Sequence, residues 1–185
     1  MKIDTKAALH RAIAMDRSRY NLRRPILLGR LLGDENYKVV KFLKVLRHLE
    51  FYTNKHKSPL EYCLYIYYTL IYRRMRLKYG LWIEVNKVGP GLYIPHYRGG
   101  VYANCKSMGD NCTISSGCVL GNKTGLPDGP TIGNNVEIAI GAKVIGPIHI
   151  GDNVVIAPNS VVVKDVPSNS IVSGIPAKII KVIQL

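Results

Sequence analysis

The sequence predicts two unlike halves: a basic α-helical N-terminal domain over residues 1–80 and a parallel β-helix of six-residue repeats over residues 81–185. Three observations carry this reading. From residue 132 onward an aliphatic side chain recurs at every sixth position, as Ile132, Ile138, Val144, Ile150, Ile156 and Val162. Before Gly80, apolar residues recur instead at three- and four-residue steps, the period of a helix face. Charge divides along the same line, with 18 Lys and Arg against 6 Asp and Glu in residues 1–80, and 8 against 6 in the remainder.

The six-residue period sets the second half. Gly133, Ala139, Gly151 and Ala157 each follow one of the aliphatic anchors, and the same register appears earlier at Val88 and Ile94, then at Met108, Ile114 and Leu120. Self-similarity at this spacing is the signature of a hexapeptide β-helix. Each hexad supplies a short strand with one inward side chain and a turn where a small residue lets the backbone bend, and three hexads close a triangular coil that stacks on the last. Recurrent Gly, Pro and Asn, with β-branched residues at the inward positions, exclude a helix.

In the first half, Val39, Phe42, Leu43, Leu46 and Leu49 mark an amphipathic helix over 35–54. The next helix opens at Ser58-Pro59-Leu60-Glu61, where Ser58 and Glu61 form a capping box and Pro59 suits the first helical position. It runs to about Lys78 and stops at Gly80. A shorter helix is expected around residues 6–17, with Asn21 to Gly33 as a connection. Tyr62, Tyr65, Tyr67, Tyr68 and Tyr72, followed by Arg73, Arg74, Arg76 and Lys78, form a band suited to burial against neighbouring helices or another subunit. A peripheral contact with a membrane surface is the other reading of that band.

Composition narrows the function classes. Cys63, Cys105, Cys112 and Cys118 form no C-x-x-C pair and no zinc pattern, and no secretory leader precedes them, so a reduced, cytoplasmic protein is expected. No apolar run reaches the roughly 18–20 residues of a membrane span. A net charge of +14 attracts anionic partners or simply solvates a helix face. Nucleic acid is not expected as a partner, because no DNA-reading helix, finger or aromatic RNA-binding signature accompanies the charge.

The stretch Gly91-Leu-Tyr-Ile-Pro-His96-Tyr-Arg-Gly-Gly100, with Gly109-Asp-Asn-Cys-Thr-Ile-Ser, Leu120-Gly-Asn-Lys, Pro130-Thr-Ile-Gly and Ser173-Gly-Ile-Pro-Ala-Lys178, resembles the serine acetyltransferase family. Within it the likeness is greatest to the branch that acetylates colanic-acid and capsular sugars. The resemblance covers about residues 80–180. It implies a left-handed coil, against the usual right-handed crossover rule, and active sites between the β-helices of a homotrimer, which the N-terminal helices could pair into a dimer of trimers. It implies acetyl-CoA as co-substrate and His96 as the general base, a role suited to a group with a pKa near neutrality. It also implies an acidic residue some dozen positions upstream that orients the imidazole. Glu84 is the candidate as the only carboxylate between Gly80 and His96, with a plain surface glutamate as the alternative. Matching acetyl-CoA positions are Gly121 and Asn122, Ala139, Ile140 and Gly141, Ala157 and Pro158, and Lys178.

Two departures from the family bear on the acceptor. Serine acetyltransferases carry an aspartate before the histidine and an Asp-Arg-His-Pro loop; here Pro95 and the Leu126-Pro127-Asp128-Gly129-Pro130 segment stand instead. Serine's charges would then lack those partners. The expectation is acetyl transfer to a sugar hydroxyl, free or lipid-linked, in capsule or exopolysaccharide synthesis, with Tyr93, Tyr97, Arg98 and Asp128 around the substrate. Serine acetylation in cysteine biosynthesis is the alternative, and a non-catalytic assembly protein the second. No metal is expected, since His96 and His149 are the only histidines in the β-helix half.

Overall fold

The computed structural model describes residues 2–22, 34–55, 58–124, 126 and 128–183. Most of the connection expected over 21–33 lies outside the described residues, as does Pro127. Three helices come first: α1 (Lys6–Ser18), α2 (Glu35–Lys55) and α3 (Pro59–Tyr79). Thr5 caps α1 by accepting from the Ala8 N–H at 3.1 Å. The capping box of α3 is present as expected, with Ser58 Oγ accepting from Glu61 N and Glu61 Oε2 accepting from Ser58 N. The helix stops at Gly80, whose φ of 66° a side chain would strain. All five apolar anchors of α2 are buried. In α3, Tyr72 is buried and Tyr65 and Tyr68 half-buried, whereas Tyr62 and Tyr67 stay exposed with Leu60, Ile66, Leu70 and Leu77. The tyrosine band is therefore only partly covered within one chain.

From Leu81 the chain winds into stacked coils with three parallel faces. The first face stacks β1 (Leu81–Ile83), β2 (Val101–Ala103), β5 (Cys118–Gly121), β8 (Lys143–Ile145) and β11 (Val161–Val162). The second holds β3 (Ser107–Met108), β6 (Thr131–Ile132) and β9 (His149–Ile150). The third holds β4 (Thr113–Ile114), β7 (Glu137–Ile138), β10 (Val155–Ile156) and β12 (Ser170–Gly174), closed by β13 (Ala177–Val182), which runs antiparallel to β12. Parallel register puts like on like: Leu120 against Val144, Ile132 against Ile150, and Ile138 against both Ile114 and Ile156. Every hexad anchor read from the sequence is buried in these columns. Cys105, Cys112 and Cys118 are buried among them, and burial pushes the Cys105 and Cys112 thiols up to about 11.

The corner between the second and third faces carries a polar ladder. Asp110 N donates to Asn134 Oδ1, Asn134 N to Asp152 Oδ1 and Asp152 N to Ser168 Oγ. Beside it, Asn135 Nδ2 donates to Asn153 Oδ1 and Asn153 Nδ2 to Asn169 Oδ1. Asn111, Asn135, Asn153 and Asn169 all have φ near +57°, the left-handed bend this residue type tolerates.

The helices join the first coil through a buried ion cluster. Arg47 on α2 donates to both Asp16 oxygens at 2.8 and 3.2 Å, to Glu50 at 2.9 Å, and to the carbonyls of Val88 and Gly89 at 2.8 and 2.7 Å. Asp16 Oδ1 accepts the N–H groups of Gly91 and Leu92, and Glu50 Oε1 that of Asn86. Charge-assisted bonds of this kind offset the cost of burying three charges only when each is matched. Burial raises the Glu50 pKa against the pull of Arg47; burial also works against the Arg47 charge, but Glu50 and Asp16 outweigh it and hold the guanidinium ionised.

Candidate active site

His96 heads the short 3-10 turn Tyr97–Gly99 at the corner between the third and first faces. Its backbone is left-handed, at φ 49° and ψ 52°, and its side chain is exposed. Among the described residues, the other non-glycine positions with positive φ are all asparagines. A non-glycine residue held in this region costs roughly 1–3 kcal/mol and persists only where the surroundings over-determine it.

Those surroundings are visible on both sides. Upstream, the Tyr20 hydroxyl accepts the Ile94 N–H at 2.8 Å and donates to Leu92 O at 3.3 Å; burial raises its pKa, so the proton it donates is retained. Tyr20 also meets the Tyr93 ring edge-on at 5.0 Å, and Arg19 bonds Asn111 O and Thr113 Oγ1. Downstream, Gly99 N donates to Ser116 Oγ at 2.8 Å, close enough that a Cβ on Gly99 would lie 2.2 Å from that oxygen, and Gly100 has φ 77°. The two glycines are thus required by close approach and by backbone sign.

The corner holding His96 continues up the helix. Gly141 N donates to Ser116 O, Ala139 N to Ile156 O, Asn159 N to Ile140 O and Ala157 N to Val172 O, so these turns lie one above another. Ala139, Ile140, Gly141, Ala157 and Pro158 therefore line the same edge as His96. Lys178, paired with Ser173 in β12, sits at its far end. Lys143 Nζ ties this edge by donating to Gly117 O at 2.6 Å and Gly141 O at 2.8 Å.

The remaining sequence-derived residues fall elsewhere. Glu84 follows β1 at the corner between the first and second faces, where its carboxylate pairs with Arg76 at 3.8 Å. Gly121, Asn122 and Asp128 share that corner, with Asp128 bonded to Lys106 at 3.0 Å. The chain does not bring these four to His96. Tyr97 is buried against Tyr79, with ring centres 5.5 Å apart, and burial raises its hydroxyl pKa. Arg98 is exposed and pairs with Glu35 at 2.5 Å. The residues Asp16, Tyr20 and Glu35 of the N-terminal half that reach this site had no motif to reveal them. One sign was there: Asp16 lies on the apolar stripe of Leu9 and Ala12, and all three are buried.

Residues 129–164 match the family described as bacterial transferase hexapeptide (six repeats). A serine acetyltransferase of Synechococcus elongatus is 45% identical over 97 residues, 51% of this chain and 39% of that protein. One from Staphylococcus aureus (strain Mu50) is 50% identical over 98 residues, 51% of this chain and 46% of that protein. The chain spans less than half the length of these curated relatives. Among solved structures, the serine acetyltransferase of Neisseria gonorrhoeae superposes with a TM-score of 0.70 at 28% identity, over 97% of this chain and 67% of that one. A crystal structure of that enzyme in complex with serine superposes at 0.69 and 27%, over 95% and 70%. The fold is the left-handed parallel β-helix preceded by a helical domain, as the resemblance implied; residues 129–164 carry the hexapeptide repeat, and the chain is similar to serine acetyltransferases.

Two expectations are corrected by these relatives. The colanic-acid and capsular branch is not supported, and acetylation of a sugar in capsule synthesis is overturned, because the homologues are named serine acetyltransferase. Pro95 and the 126–130 segment are not the only places from which a zwitterion can be met, because the two long helices also bring charged side chains, Lys38 and Lys78, beside the His96 turn.

Proposed function

We propose that the chain is an acetyl-CoA-dependent O-acetyltransferase acting on L-serine, with His96 as general base. The observation that carries this reading is the strained, exposed imidazole held at the foot of an edge lined by small turn residues. A backbone conformation this costly, fixed from both sides, is the arrangement expected of a working group. The imidazole takes the proton from serine Oγ as that oxygen attacks the thioester carbonyl carbon. The tetrahedral intermediate then breaks its C–S bond, and the departing thiolate receives the same proton from the imidazolium. No covalent acyl-enzyme is needed. The turns at Ala139–Gly141 and Ala157–Pro158 would hold acetyl-CoA alongside, with Lys178 near its phosphates, a placement supported by their position on one edge with His96. Steady-state kinetics test the acceptor: kcat/KM for L-serine is expected at about 10⁴ M⁻¹s⁻¹ or more, and thiol release that does not rise with serine would overturn the reading.

The division of candidate residues between two corners favours a homotrimer. Glu84, Gly121, Asn122 and Asp128 lie on one edge of a triangular prism and His96 on another, so a second copy is required to bring the two sets face to face. Light scattering is expected to return three times the 20.6 kDa chain mass. A species that stays monomeric at micromolar concentration contradicts the shared site.

A further inference from the structure

An open groove of about 590 Å³ lies beside the His96 turn, between the start of α2, the end of α3 and the Tyr97–Gly100 backbone. Its lining includes three cations, Lys38, Lys78 and Arg98, with Tyr79 and Tyr97 as its apolar wall. Glu35 neutralises one of them by pairing with Arg98. Among the described residues no carboxylate pairs with Lys38 or Lys78. Two ammonium groups without a carboxylate partner, beside the buried Tyr97 and the half-buried Tyr79, whose ring lies 5.9 Å from Lys78 Nζ, make a field that selects a small anion.

We propose that this groove is the carboxylate subsite of the acceptor, with Lys38 and Lys78 as the anion-binding groups and the Glu35–Arg98 pair fixing the turn that joins them to His96. The assignment rests on the serine-acetylating function proposed above. Three features point to the acceptor. Tyr97 and Arg98 directly follow His96, and successive Cα atoms are about 3.8 Å apart, so a small hydroxy acid whose hydroxyl meets the imidazole has its carboxylate within reach of the groove. The turns suited to acetyl-CoA climb away from His96 toward Lys178, leaving this groove on the other side of the histidine. Within the motif the cation Arg98 is already paired with Glu35, so cations for a carboxylate come from outside it, and α2 and α3 supply them. Lysine suits the task as a compact, hydrated point charge on a flexible stem.

The experiment compares L-serine with L-serinamide, which keeps the hydroxyl and the ammonium and lacks the carboxylate. In the unaltered chain serine is expected to exceed serinamide in kcat/KM by about tenfold or more, the order of a charge-assisted bond. In K38A/K78A the KM for serine should rise by a similar factor, the serine-to-serinamide preference should collapse toward one, and the KM for acetyl-CoA should stay unchanged. Lys78→Arg should restore part of the preference when Lys38 is kept, which loss of fold would not permit. Serine and serinamide losing equally, or a rise confined to the acetyl-CoA KM, overturns the subsite while leaving serine acetylation in place. Absence of serine turnover by the unaltered chain overturns both.

Discussion

Replacing His96 with alanine is expected to lower acetyl-transfer turnover by about 10²–10⁴-fold, the usual worth of a positioned general base. Acetyl-CoA affinity should hardly change, because the turns proposed to hold it stand on their own backbone bonds further up the edge. The substitution also relieves nothing in the fold, since alanine inherits the same left-handed backbone. Stopped assays of turnover beside calorimetric titration of acetyl-CoA separate the two effects. Turnover within a few-fold of normal would remove the imidazole from the chemistry.

A second large effect is expected far from the imidazole. Asp16→Ala leaves Arg47 buried with half its carboxylate partners gone and strands the Gly91 and Leu92 N–H groups. Breaking a buried pair from one side costs about 3–5 kcal/mol, because the remaining charge has no water to fall back on. For a chain of this size each kcal/mol moves Tm by about 2–4 °C, so a fall of roughly 6 °C or more should appear in thermal unfolding followed by circular dichroism. A shift of a degree or two would show that water reaches the cluster. The bonds lost run to the segment leading into His96, so the same variant is expected to lose turnover at temperatures where it remains folded.

The β-helix was legible because its rule is one-dimensional. An inward aliphatic side chain every six residues needs no knowledge of what lies across the coil, and Ile132 through Val162 announced it alone. The His96 corner was legible through its flanking residues, since the glycines at 99 and 100 are demanded by local geometry. What escaped was anything assembled across the two halves. Arg47 reaches carbonyls 41 and 42 residues away and Asp16 reaches N–H groups 75 and 76 residues away, and a charged side chain in a basic helix defaults to solvent. The net charge of the first half was likewise read as a sum, whereas the structure sorts it: Arg47 is buried, Arg76 lies over Trp82 at 4.2 Å, and Glu35 is paired with Arg98 of the second half. Glu84 shows the converse fault. Its nearness to His96 along the chain means little in a coil, where a dozen residues carry the backbone from one corner past a second to a third.

The ladder at the second-to-third corner has a consequence for how such a chain changes over generations. Its rungs are separated in sequence by 24, then 18, then 16 residues, yet they stay aligned in space. The variation is confined to the other two corners. Met108 to Ile114, Ile132 to Ile138, Ile150 to Ile156 and Val166 to Val172 each cross the ladder corner in six residues, while the crossing from Leu120 to Ile132 is lengthened by the excursion around Asn122 to Gly129. Codons can accordingly be gained or lost at the corners where the candidate groups lie without disturbing the coil above. One codon lost across the ladder would turn the inward side chains of that face outward. The asparagine corner acts as a spine of fixed length, and a lineage is free to rewrite its loops for new acceptors only on the sides away from it.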